Sequence, residues 1–238
     1  MKVALVFSGG GLFGAWQAGV WAGIERRVRP DLVVGASVGA LNGYTVACGA
    51  SGERLCALWK ERELTKFGSL PENIRFLMSQ HRRRTDFAVA VTDLLRMKPL
   101  VFQNDEITWR HMAASCAIPG VFRQYWIDGR LCSDGGLLNP LPVWAAVDLG
   151  ATHIVAVHAL PEIPGWAMKA VVKPFRWVAG HHPATPKEIQ LDVIMPPRPL
   201  GGVRDAISWK NENIERWLHE GYEQGLAKNI SIPNCLER

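Results

Sequence analysis

Residues 32–43 read L32-V-V-G-A-S37-V-G-A-L-N-G43, a serine between two glycines, with an apolar run before it and small and apolar residues after it. The run Leu32–Ala36 is too short for a helix and reads as a buried strand; 38–48 continues as a helix. Gly35-Ala36-Ser37-Val38-Gly39 is therefore G-x-S-x-G in the strand–turn–helix context of a nucleophile elbow. Such a turn is sharp and strained. Side chains two residues to either side of the serine would collide, which accounts for Gly35 and Gly39. The expectation is that Ser37 is a nucleophile, and a hydroxyl in that role needs a base from elsewhere in the chain.

A second stretch, Ser8-Gly-Gly-Gly-Leu-Phe-Gly14, follows an apolar strand (2–8) and opens a helix (12–28). Gly9, Gly11 and Gly14 fit G-x-G-x-x-G, and Asp31 lies 20 residues after Gly11, the outline of a dinucleotide fingerprint. Position speaks against that reading. The acidic residue that holds a ribose belongs at the carboxyl end of the second strand, where this chain has Ser37; Asp31 precedes the strand. A turn serving structure alone is one alternative. The other is an oxyanion hole, in which backbone N–H groups of Gly9, Gly10, Gly11 and Gly14 meet developing negative charge at a helix N-terminus.

Composition sets the frame. The chain has 238 residues, 48% hydrophobic and 21% charged, with no linker or repeat, and reads as one domain over 1–238 whose motifs occupy about 1–160. A net charge of +5 and pI of 9.1 suit an anionic surface. No nucleic-acid motif accompanies the charge, so nucleic acid is not an expected partner. His81-Arg82-Arg83-Arg84 is the densest basic cluster, either a solvated segment or a contact with lipid headgroups. Five scattered cysteines without CxxC spacing argue against disulfides and zinc and for a reducing compartment. No signal-peptide core and no apolar run of about 20 residues is present, so the expected location is the cytoplasm, with peripheral membrane contact. No cofactor or metal is implied. Of ten tryptophans most read as core, while Trp166 and Trp177 are candidates to touch lipid.

The remaining elements alternate. Strands are expected at 152–159 and 189–195, helices at 51–63, from Asn104 or Asp105 to 114, and at 143–149. A hairpin should turn at Asp128-Gly129, and a helix over 206–226 should bury Ile207, Ile214, Trp217, Leu218 and Tyr222 along one face. Residues 65–100 read as helical in pieces, notably 86–97, and as a cover over a cleft. The fold class is α/β, three layers with helices on both faces of a mostly parallel sheet. His153, His158, His181 and His182 come late enough for a Ser–Asp–His order, but an elbow directly after the second strand does not fit the α/β-hydrolase topology.

A third stretch, Ser133-Asp-Gly-Gly-Leu-Leu-Asn-Pro-Leu-Pro142, sets Asp134 after a short strand, with Gly135 and Gly136 turning the chain at once. By itself Asp-Gly-Gly is a common turn. The three motifs together, with the segment Ala113–Phe122 (AASCAIPGVF), resemble the patatin-like phospholipases, lipid acyl hydrolases with a patatin-like fold. The resemblance covers roughly the first 160 residues. It implies a Ser37–Asp134 dyad without histidine, an oxyanion hole from the glycine loop, an acyl-enzyme, a lipid ester as substrate, and no cofactor. Phe13 departs from the basic residue the family often carries at that place, which bears on preference for a charged headgroup. Acyl transfer by the same dyad, or lipid binding without catalysis, are the rival readings.

Overall fold

The computed structural model describes residues 1–62, 70–162, 185–186 and 188–231. Its sheet contains β1 (Val3–Phe7), β2 (Leu32–Ala36), β3 (Asp86–Asp93), β4 (Lys98–Gln103), β5 (Tyr125–Ile127), β6 (Arg130–Ser133), β7 (His153–Val157) and β8 (Gln190–Ile194). β3, β2, β1, β7 and β8 lie side by side and parallel, in that order. β1, β2 and most of β3 are buried on both faces, as strands inside an α/β sheet are.

The helices are α1 (Gly14–Ile24, entered through a 3₁₀ turn at Gly11–Phe13), α2 (Val38–Ala47), α3 (Gly52–Lys60), α4 (Leu70–Gln80), α5 (Trp109–Ser115), α6 (Val143–Asp148), α7 (Val203–Ile207) and α8 (Asn211–Ala227). One face of the sheet, with Val3, Leu5, Phe7, Val33, Phe87 and Val157, packs against α1 to α5 and α8. The other, with Ala4, Val6, Val34, Ala88 and Ala156, packs against α6. The architecture is the expected three-layer α/β/α.

Several expectations are corrected. Residues 86–93 form the strand beside β2, not a helix in a cover, because a short buried strand and a buried helix segment both read as a continuous apolar run. Two helices stand where one was expected at 206–226, with a break at 208–210; Ile214, Trp217 and Leu218 are buried as expected, while Ile207 and Tyr222 are exposed. The cap of α5 is Thr108, whose hydroxyl accepts from Arg110 N–H at 3.3 Å, and not Asn104 or Asp105, which sit in a separate 3₁₀ turn. Ser51 caps α3 as read, accepting from Arg54 N–H at 3.1 Å, and Asp128 and Gly129 make the expected two-residue turn with φ of 47° and 71°. The expectations for Trp166, Trp177, His181 and His182 fall outside the described residues, as do residues 65–69 of the expected cover. Among the described residues no helix is long and apolar enough to cross a membrane.

The contact between α1 and α8 is made by backbone. A Cβ on Gly19 would strike the Leu218 carbonyl, one on Gly221 the Trp16 carbonyl, and one on Gly225 the Val20 carbonyl at 2.6 Å. Around these glycines Trp16 Nε1 donates to Gln224 Oε1 at 3.0 Å, and Phe13 meets Trp217 edge to face with ring centres 5.0 Å apart. α8 therefore clamps the helix that begins where the glycine loop ends. Gly221→Val should separate the two helices and lower unfolding free energy by about 2 kcal/mol or more, read from urea denaturation, whereas Leu226→Ala on the exposed side should stay within about 0.5 kcal/mol.

Candidate active site

Ser37 stands where β2 becomes α2, with φ 55° and ψ −129°. No side chain is absent from Gly35 and Gly39 by accident. A Cβ on Gly35 would run into the Gly39 carbonyl, and one on Gly39 into the carbonyls of Ser8 and Phe7. Ser37 is the N-cap residue of α2, yet its side chain makes no capping bond, so the hydroxyl is left for other work. Its N–H donates to Ser115 Oγ at 2.9 Å, and Ser115 Oγ–H donates to the Ala90 carbonyl at 2.7 Å.

Asp134 reaches Ser37 through an unusual use of one strand edge. β2 pairs with β3 from Asp86 to Ala90 and then ends. β3 continues to Asp93, and its last two residues pair with Ser133 and Cys132 of β6, antiparallel. β4 holds the opposite edge of those same residues, so β6 takes over the edge that β2 vacates and runs back toward the elbow. Asp134 is the next residue. It is fastened by its N–H to the Ala117 carbonyl at 3.0 Å and by its carbonyl to Thr92 Oγ1 at 2.8 Å, while Gly135 N–H donates to the Ser115 carbonyl at 3.1 Å. Ser115 thus ties the backbone of the elbow to the backbone of the Asp-Gly-Gly turn.

The Asp134 carboxyl is buried. Oδ1 accepts from Gly136 N–H at 2.8 Å, and Oδ2 has no hydrogen-bond partner among the described residues. Burial pushes its pKa from 3.8 up to about 6, against the opposing pull of the neighbouring Ser37 hydroxyl and the Gly136 N–H. The Ser37 hydroxyl is thus close enough to the carboxyl to act on its pKa, although Oδ2 has no hydrogen-bond partner among the described residues.

The glycine loop completes the arrangement. A Cβ on Gly9 would lie 3.4 Å from Ser37 Cβ and 3.6 Å from Gly136 Cα, so the three motifs meet there. The four glycines do not contribute alike. Gly9 N–H is engaged by the Pro140 carbonyl at 2.8 Å, and Gly14 N–H by the carbonyls of Gly11 and Leu12, so neither faces a ligand as the sequence reading had it. The N–H groups of Gly10 and Gly11 have no acceptor among the described residues. Gly11, at φ 56°, has the Ala206 carbonyl of α7 where a side chain would stand.

Beneath the loop runs a buried polar network that sequence reasoning missed. Gln17 Nε2 donates to the Ser8 carbonyl at 2.7 Å, and Ser8 Oγ donates to the Gly9 carbonyl at 2.8 Å. Asn42 Nδ2 donates to the Gly14 carbonyl at 2.9 Å and to Gln17 Oε1 at 3.0 Å, and Trp59 Nε1 donates to Asn42 Oδ1 at 2.9 Å. The one sequence signal was two amides inside otherwise apolar helices. Of the candidate histidines, His153 begins β7 at the far end of the sheet from Ser37, and His158 follows β7 at the near end. His81 to Arg84 precede β3, and so also lie at the far end.

The family model for patatin-like phospholipase matches residues 5–98 and 79–147. An uncharacterized NTE family protein of Mycobacterium tuberculosis is 39% identical over 71 residues, 30% of this chain and 19% of its own length. Patatin-like phospholipase domain-containing protein 6 of Homo sapiens is 28% identical over 179 residues, 65% of this chain and 13% of its own length. The chain therefore spans a small part of these relatives. Among solved structures, VipD from Legionella pneumophila superposes with a TM-score of 0.56 at 13% identity, over 94% of this chain and 66% of that one, a likeness of fold. With a family match over most of the first 147 residues, and elbow, aspartate and glycine loop converging in space, the chain belongs to the patatin-like phospholipase family.

Proposed function

We propose that this protein hydrolyses lipid carboxylic esters with a Ser37–Asp134 dyad. The observation that carries the reading is the buried Asp134 carboxyl, with one oxygen unpartnered among the described residues, beside a serine at a strained elbow whose side chain makes no capping bond. Family membership supports the substrate class.

Ser37 Oγ attacks the acyl carbonyl while its proton passes to Asp134 Oδ2. The N–H groups of Gly10 and Gly11, at the entry to α1, stabilise the oxyanion; a single such donor contributes about 3 kcal/mol. Collapse of the intermediate breaks the ester bond, and Asp134 returns the proton to the departing alcohol oxygen. Water then gives its proton to Asp134 and attacks the acyl-enzyme. Loss of the serine oxygen frees the fatty acid, and the proton goes back to Ser37. A carboxylate of ordinary pKa is a feeble base; burial that raises Asp134 to about 6 strengthens it while leaving it ionised at neutral pH.

Ser37→Ala should lower hydrolysis of a p-nitrophenyl ester at least ~10³-fold and abolish labelling by a fluorophosphonate, with the circular dichroism spectrum unchanged. Near-wild-type turnover in that variant would remove the assignment. Alanine at His153 or at His158 should leave most activity; a histidine variant as inactive as Ser37→Ala would replace the dyad with a triad.

Asp134 also predicts two pH dependences. As the base it must be ionised, so kcat/KM should fall as pH drops through about 6. Stability should move the other way. Asp134 is raised in the folded state, so its ionisation between pH 3.8 and about 6 favours unfolding, by about 3 kcal/mol at pH 8. Asp134→Asn keeps the acceptor for Gly136 N–H and removes that penalty. The variant should be inactive, yet more resistant to urea than wild type at pH 8, with the gain gone by pH 4.

A further inference from the structure

Ser37 opens at the carboxyl-terminal end of the parallel strands, and four segments at that end each carry one exposed apolar side chain and one exposed arginine. The β3–β4 turn has Leu95, 65% exposed, and Arg96; the β5–β6 hairpin has Trp126, 57% exposed, and Arg130. The chain leaving β8 has Met195, 53% exposed, and Arg198; α7 has Ile207, 55% exposed, and Arg204.

Topology fixes where these segments stand. Leu95 follows Asp93, three residues beyond the level of Ala36 at which β2 ends. The β5–β6 hairpin runs farther out, since Cys132 pairs with Asp93 and the turn at Asp128-Gly129 lies beyond it. Leu94 N–H donates to the Leu131 carbonyl at 2.9 Å and joins the two projections. Met195 comes just after Ile194, the partner of Val157, and α7 lies against the glycine loop.

A single exposed apolar residue needs no explanation, but this pairing, repeated on four segments around one opening, does. Leu, Met, Ile and Trp enter the apolar margin of a bilayer, and guanidinium groups take lipid phosphates in forked hydrogen bonds. The local acids take up part of the charge, at Arg96 and Arg198, and leave Arg130 and Arg204 without an ion pair among the described residues. Asp93 is buried and holds Arg96 at 2.9 Å, Asp205 lies 3.8 Å from Lys210, and Glu220 meets Arg198 at a loose 3.7 Å; Asp128 and Glu162 are exposed. The basic cluster His81 to Arg84, which the sequence offered for headgroups, is at the wrong end. Arg83 is taken by Asp105 at 2.6 Å, and a bilayer there would be a strand length, about 16 Å, from Ser37.

We infer that the protein docks on an anionic phospholipid bilayer through these four segments, which would set the mouth of the Ser37 site against the lipid; the benefit to turnover rests on the acyl-hydrolase reading, the docking does not. Binding is measured by co-sedimentation with vesicles of ether-linked phosphatidylcholine, with and without ether-linked phosphatidylglycerol, so that no hydrolysis is involved. Wild type should bind the anionic vesicles more tightly. Leu95→Gln with Trp126→Gln, which leaves the charge unaltered, should weaken that binding about tenfold or more, while Arg82→Gln with Arg84→Gln should leave it within about twofold. If the first pair fails to fold by circular dichroism, Arg130→Glu with Arg204→Glu serves in its place, with the same loss expected. Absence of binding, loss of binding on changing Arg82 and Arg84 alone, or binding indifferent to the apolar pair and driven by charge only, would each overturn the inference. Fluorophosphonate labelling of Ser37 reports on the dyad separately.

Discussion

The backbone at Ser37 is the constraint on which the rest turns. A non-glycine residue at φ 55° and ψ −129° is strained by about 1–3 kcal/mol and persists only where its surroundings leave no alternative. Here they leave none. The strand before it is locked on both sides, the helix after it presses Gly39 against the β1 carbonyls, and Ser115 takes the N–H of Ser37 itself. Asn42, one turn into α2, binds Gln17 of α1 and Trp59 of α3, so the helix that carries the strain is bolted to both neighbours. Groups fully buried in such a network are each satisfied, and that is what makes it rigid.

The same rigidity allows a charge to be held where charge is disfavoured. Asp134 lies in low-dielectric surroundings with one oxygen bonded to Gly136 and the other without a hydrogen-bond partner among the described residues. A free chain would turn it to water. Thr92 and Ala117 hold its backbone, Gly135 is wedged against the Ala90 carbonyl, and β6 directs the chain from a strand edge that β2 has given up. Local instability at the site is supported by the sheet as a whole, and α/β/α packing supplies the stability that the site withdraws.

What the sequence revealed depended on the range of the physics involved. The elbow, the Asp128-Gly129 turn and the aspartate turn were legible because glycine placement answers to contacts within a few residues. β3 was not: Asp86–Asp93 is apolar without alternation, and only a neighbour on each edge makes it a strand. The division of labour in the glycine loop was hidden for a like reason. Whether Gly9 or Gly10 offers its N–H depends on Pro140, far along the chain. The role of the glycines of α1 and α8 was hidden likewise, since each answers to a carbonyl of the other helix, about 200 residues away in the chain. Charge was legible as an amount but not as a place: the sequence does not show that Arg82 to Arg84 lie one strand length from Ser37.

The clasp between α1 and α8 also fixes an order of events. These helices touch through main-chain atoms across nearly the whole length of the described chain, from Gly19 to Gly221. Loop closure on that scale is slow compared with the formation of local turns. During synthesis β2, α2 and Asp134 leave the ribosome well before Asn211–Ala227, so α1 can pack on the sheet, α2 and α3 early but meets its backbone partner only when that helix arrives. The side of α1 that carries Gly19 and Gly23 thus stays uncovered until Asn211–Ala227 docks, and the helix on which the glycine loop ends is the part of the fold that closes late.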